Sequence, residues 1–198
     1  MKTAARRPVT MTLEAWGALD DGVPGELIDG LLVEEEMTTT VHDLVASWLL
    51  ARLVLWSETR DAYAFGPDHK LAVASRRGRK PDVTVYGPGA VLDARARVST
   101  VTPLCVVEVV SPNPRDARRD RIEKRSEYAR AGIRFYWLVD PAVRSVEVFE
   151  LARDGRYTTA AAVGGGKLRI RGLSGLTLDL DALFRAVDRL ERRAARRR

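Results

Sequence analysis

Cysteine is almost absent. Cys105 is the only one in 198 residues, which excludes a disulfide framework and any all-cysteine metal site. It lies in the apolar run Leu104-Cys105-Val106-Val107, the setting of a small buried core residue. Histidine is nearly as scarce, with His42 and His69 alone, so no histidine-rich zinc site can be assembled. Long apolar runs are missing too. The longest, Leu44 to Trp56, has 13 residues and contains Arg52, well short of the ~20 that span a bilayer. Arg6 and Arg7 have no apolar stretch behind them, so no export signal is expected and the chain reads as cytoplasmic. There is no Gly-x-Ser-x-Gly elbow for serine hydrolysis. Gly164-Gly165-Gly166-Lys167 lacks the leading glycine and trailing Ser/Thr of a phosphate loop and falls between strands, so it reads as a hairpin turn.

What is present suffices for a folded core. Hydrophobic residues make up 45% of the chain, too many for a disordered one, and the length fits a single domain. There are 33 Lys and Arg against 27 Asp and Glu, a net charge of +6. Only five of the cations are lysines, at 2, 70, 80, 124 and 167, leaving 28 arginines. An arginine- and alanine-rich bias also follows from GC-rich coding, so position says more than the total.

The chain alternates helical and extended patterns. Thr10 or Thr12 can cap a short helix from Leu13 to Asp20, stopped by Gly22-Val23-Pro24-Gly25. Residues 26–34 read as a hairpin about Asp29-Gly30. Apolar residues at 41, 44, 45, 48, 49, 53 and 56 follow the helical period. Extended segments follow at Ala62–Phe65, Lys70–Ala74, Asp82–Tyr86 and Leu104–Val110, the last suited to a strand buried on both faces. A charged helix is expected from Arg115 to Ala131, closed by Gly132. Then come a buried strand at Phe135–Val139, a hairpin of Ser145–Leu151 and Tyr157–Val163 about Asp154-Gly155, and a final helix from Asp179. This order predicts an α/β fold, a mixed sheet flanked by helices.

Two carboxylates interrupt apolar strands. Asp82 follows Pro81 and opens one strand; Glu108 lies inside Cys105-Val106-Val107-Glu108-Val109-Val110. A lone buried carboxylate costs several kcal/mol unless it is paired, protonated or metal-bound. Glu108 therefore lies on a solvated edge, pairs with an arginine, or joins Asp82 as a hard oxygen ligand for Mg²⁺ or a similar cation. Asp116, Asp120, Lys124 and Tyr128 recur every four residues along one helix face. That spacing alone makes Lys124 a salt-bridge partner of Asp120.

Pro81-Asp82 followed by Glu108-Val109-Val110 resembles the PD-(D/E)XK nuclease motif, with Val110 where the pattern has lysine. The wider set of motifs resembles the Uma-type family of putative restriction endonucleases. It comprises Glu26-Leu27-Ile28-Asp29-Gly30, Pro81-Asp82-Val83, Val107-Glu108-Val109-Val110-Ser111-Pro112, the helix with Asp120, Lys124 and Tyr128, and Tyr136-Trp137-Leu138-Val139-Asp140-Pro141. The resemblance covers residues 10–151 and implies a restriction-endonuclease-like core. It also implies that the helix residue Lys124 replaces the missing strand lysine, and that Glu26 and His42 stand near the site. Glu26 would add a metal or water contact. His42 would touch a phosphate, or simply cap its helix.

The implied activity is metal-dependent hydrolysis of DNA phosphodiester bonds. Asp82, Glu108 and the Val109 carbonyl would hold Mg²⁺ or Mn²⁺. Duplex DNA is the expected partner, and a homodimer would supply the two sites that cutting both strands needs. The rivals are an inactive nucleic-acid-binding module, a nuclease for RNA or structured DNA, and a structural protein. The location of charge favours nucleic acid. Residues 76–80 carry +4, residues 115–134 +4 and residues 185–198 +5, which leaves the rest at −7.

Overall fold

The valine-rich segment lies at the centre of the sheet. The computed structural model describes residues 10–20, 23–34, 38–113 and 119–196. It places β7 (Cys105–Val109), wholly buried, between β6 (Val83–Tyr86) and β8 (Phe135–Asp140). The β7–β8 pair is parallel and the other pairs in the sheet are antiparallel. With β3 (Tyr63–Phe65), β9 (Ser145–Leu151) and β10 (Tyr157–Val163), the order is β10-β9-β8-β7-β6-β3. The mixed sheet expected from the sequence is therefore present.

Side-chain alternation splits the core in two. Cys105, Val107 and Val109, with Phe135, Trp137 and Val139, face one cluster. That cluster is closed by α2 (Thr40–Glu58) and α4 (Leu180–Ala195), which contribute Val45, Leu49, Leu53, Leu183 and Phe184. Val106, Val110, Tyr136 and Leu138 face a second cluster with Tyr128. Both long helices start on side-chain caps: Thr39 accepts the His42 amide at 3.2 Å, and Asp179 accepts that of Ala182 at 2.8 Å. The first helix, α1 (Leu13–Gly17), is capped by Thr12 and ends before the expected Asp20. Gly22 of the expected stopping turn lies outside the described residues.

A second sheet has the order β2-β1-β5-β4, from β1 (Glu26–Ile28), β2 (Leu31–Val33), β4 (Leu71–Ala74) and β5 (Arg77–Arg79). The β1–β2 turn is the expected Asp-Gly pair, with Asp29 at φ 52° and Gly30 at φ 83°. β5 was not anticipated, because Arg-Gly-Arg carries no strand pattern. It can pack there because Gly78 has no side chain: a Cβ would stand 2.4 Å from the Trp16 ring.

The charged helix also differs from expectation. Residues 114–118, including Arg115 and Asp116, lie outside the described residues. The rest, α3, is a π-helical turn, Arg119–Lys124, running into the α-helix Arg125–Arg130. The Tyr136 hydroxyl donates to the Asp120 carbonyl within that turn at 2.9 Å. The helix ends as expected at Gly132, with φ 76°. The amides of Gly132 and Ile133 return to the carbonyls of Ala129 and Tyr128, a Schellman closure.

Candidate active site

Glu108 projects from β7 toward α3, on the face it shares with Val106 and Val110. It is 3% exposed, so its two oxygens need partners, and α3 supplies both. Lys124 Nζ lies 2.9 Å from Glu108 Oε2, and the Tyr128 hydroxyl donates to Oε1 at 2.5 Å. The same ammonium lies 3.3 Å from Asp120 Oδ1 and 3.7 Å from Glu26 Oε1. One buried lysine thus stands among three carboxylates drawn from β1, β7 and α3. The expected Asp120–Lys124 pair exists, but it faces inward rather than toward solvent.

Glu26 ties this cluster to the second sheet. Its Oε2 accepts from Arg79 Nη1 at 2.5 Å and its Oε1 from the Lys80 amide at 3.0 Å. Arg79, fully buried, also reaches Glu127 Oε2 at 2.7 Å, and Glu127 pairs with Arg77. The segment read as a basic patch at 76–80 is therefore largely consumed inside the protein: Arg77 and Arg79 hold carboxylates, and Lys80 pairs with Asp68. Sequence reasoning missed Arg79 and Glu127. An arginine within a cation-rich segment has no one-dimensional mark of burial.

Asp82 lies one residue beyond the last pair of the β6–β7 ladder, Val83↔Val107. Its carboxylate Oδ2 accepts the Val109 amide at 2.7 Å, taking the place of a strand partner. Within a strand, one residue's N–H and C=O point the same way. The Val109 carbonyl thus faces Asp82 as well. His42 Nε2 lies 3.3 Å from Asp82 Oδ2. The cap of α2 is Thr39, so the imidazole of His42 is turned to Asp82 rather than spent on capping. Val110, in the position where the motif has lysine, packs in the apolar cluster with Val106 and Tyr128.

The charges are strongly biased. Burial works against charge on Lys124, but Glu108, Glu26 and Asp120 outweigh it and hold the amine well above its ordinary range. Burial would raise Glu26 too, yet Lys124, Arg79 and the Lys80 amide bring it to about 2. Glu108 goes the other way. Burial, only partly offset by Lys124, combines with Asp120, Asp82 and Glu26 to push it well above a normal carboxyl. Asp120 is raised for the same leading reason. Burial lowers His42, but Asp82, with Asp43 adding to it, more than compensates and the net shift is upward.

The oxygens of Asp82, Glu108 and Val109 suit a hard divalent cation. Among the described residues, no three Asp, Glu, His or Cys side chains gather at metal-binding spacing. Two carboxylates plus main chain and water is a set that Mg²⁺, which keeps several waters, accepts.

A six-stranded mixed sheet flanked by helices, with carboxylates on adjacent central strands, is a restriction-endonuclease-like core. The chain belongs to the Uma2 family, whose model, described as "Putative restriction endonuclease", matches residues 12–181. This is the endonuclease class that the motifs imply. Among solved structures, one described as a putative nuclease belonging to DUF820 from Anabaena variabilis is similar. It has a TM-score of 0.72 and 18% sequence identity, with 91% of this chain and 99% of that chain covered. At that identity the likeness carries the fold. No curated protein matches the chain. Among the described residues, no helix is long and apolar enough to cross a membrane.

Proposed function

We propose that the protein is a divalent-metal-dependent endonuclease acting on DNA, with Asp82, Glu108 and Lys124 as its central residues. The observation that carries this reading is the position of Lys124: an ammonium from α3, 2.9 Å from the strand carboxylate, in a cluster where the strand itself offers Val110. Asp82, Glu108 and the Val109 carbonyl would hold Mg²⁺ or Mn²⁺. When bound, the cation supplies Lewis acidity toward the phosphate and lowers the pKa of water.

Lys124, as a fixed hydrogen-bond donor, orients the attacking water or contacts a phosphate oxygen, and neutralises charge that grows as the bond breaks. Tyr128 and Asp120 position Lys124 and Glu108 against each other. Glu26 stands behind Lys124 as a fixed anion and Arg79 holds it there. His42 bears on Asp82 and, when protonated, places a second cation near an incoming phosphate.

The test is nicking of supercoiled plasmid in Mg²⁺ or Mn²⁺ by the wild type and by Asp82→Asn, Glu108→Gln and Lys124→Met. Each substitution is expected to slow nicking by about 10²–10³-fold, the usual weight of one electrostatic group. Circular dichroism monitors folding. Wild-type rates from folded Asp82→Asn and Glu108→Gln proteins would refute the assignment.

One observation favours a second reading, a binding module without catalysis: both oxygens of Glu108 are already engaged, by Lys124 and Tyr128. Calorimetric titration with Mg²⁺ separates the two. The enzyme binds the cation with loss of affinity in Asp82→Asn, while the module retains DNA with no cation at all.

A further inference from the structure

The proposed active site opens into a cleft lined largely by apolar side chains. His42, beside Asp82, also lines a cavity of about 440 Å³ that reaches Val110 and Ser111 after β7 and Pro141 after β8. That size is in the ~300–1,000 Å³ range of small organic ligand sites. Its walls are apolar: Val41, Val110, Pro112, Pro141 and Ala142. Most polar groups in the lining are already engaged. Asp140 accepts the Ala142 and Val143 amides and pairs with Arg121 at 2.7 Å. The hydroxyl oxygens of Thr39 and Ser111 accept the His42 and Asn113 amides. Glu191, exposed at the edge, brings a further carboxylate. No lysine or arginine among the described residues lines the cavity.

We infer that this cleft takes a nucleobase, and hence that the substrate presents an unpaired nucleotide beside the bond to be cut. A base is flat, with apolar faces that suit valine side chains and proline rings. Adenine, cytosine and guanine carry N–H donors at their edges, which a carboxylate such as Glu191 accepts. In an intact duplex that nucleotide is stacked and paired. It enters the cleft from a single strand or a gap, or after flipping out of a weakened step. The inference rests on the nuclease reading, because Asp82 and His42 fix the cleft beside the scissile phosphate.

The experiment uses 2-aminopurine, which brightens when it leaves the stack, at successive positions of a duplex oligonucleotide. The full chain is titrated in with Ca²⁺, another cation that takes oxygen ligands. A several-fold rise is expected at one position or two adjacent ones. Ala142→Leu, which fills the cleft from its exposed edge, abolishes the rise, and Ala142→Ser keeps it. An abasic nucleotide at the reporting position weakens wild-type binding about tenfold, or ~1.4 kcal/mol, and leaves the Ala142→Leu protein unchanged. DNA bound with flat fluorescence at every position overturns the inference. Plasmid nicking with flat fluorescence removes the base site alone. A protein that neither binds nor nicks loses the nuclease reading with it.

Discussion

Lys124 makes a case at the scale of one residue for reading burial and charge together. A side chain 4% exposed with carboxyl partners at 2.9, 3.3 and 3.7 Å is held by its neighbours, and they are held by it. Removing one partner of a buried pair strands the other, at about 3–5 kcal/mol. Lys124→Met should therefore destabilise the fold by that order. Glu108→Gln in the Lys124→Met background should restore part of the loss, because an amide in that place needs no counter-charge. Urea denaturation of the two single variants and the double variant measures the coupling, expected above about 1 kcal/mol. Additivity within about 0.5 kcal/mol would mean that Lys124 and Glu108 do not depend on one another, and would weaken its role as a fixed ammonium.

At the scale of the element, the site depends on two pieces that local pattern does not encode. β9 and β10 coincide with the expected spans, since alternation about an Asp-Gly turn is a local signal. Asp82 and Glu108 were legible as a pair because charge stands out in apolar strands. β5 was not, because its strand character comes from pairing with β1 and β4 around Gly78, and the burial of Arg79 is a tertiary event. The π-helical turn was equally hidden: its anchor, the Tyr136 hydroxyl on the Asp120 carbonyl, joins residues from two elements. Such turns recur at functional sites, and here one carries both Asp120 and Lys124. Gly78 gives a test of β5. Gly78→Ala drives a methyl into the Trp16 ring and should cost about 1–3 kcal/mol, as overpacking does. Because β5 holds Arg79 against Glu26, nicking activity should fall with stability. A variant as stable as wild type in thermal unfolding would show that α1 yields without disturbing β5.

For the whole molecule, the net charge of +6 hides where free positive charge lies. The interior absorbs Arg77, Arg79 and Lys124, and the surface pairs Arg121, Arg134 and Arg144 with carboxylates. On α4 the balance is different. Leu180, Leu183, Phe184 and Val187 turn inward, and Arg185, Arg189, Arg192, Arg193 and Arg196 are exposed at helical spacing along the outer side. Of these, Arg192 has a carboxylate partner among the described residues, Asp188 at 4.0 Å. Arg197 and Arg198, also part of the basic tail, lie outside the described residues. Glu191, on the same helix, lies in register with Phe184 and Val187 and lines the cleft beside His42, so the arginine ridge is on the side of α4 turned away from that cleft. A ridge of this kind holds a nucleic-acid backbone through counterion release and carries no sequence preference. Each phosphate contact contributes about 0.9 to the slope of log K against log salt on duplex DNA. The double variant Arg189→Ala, Arg193→Ala should therefore lower that slope by about 1.8, with affinity loss similar for unrelated sequences. Fluorescence anisotropy across a salt series reads both quantities. An unchanged slope would place the backbone on another face and detach α4 from the substrate path, whereas a changed slope confined to one sequence would make α4 a reader of bases.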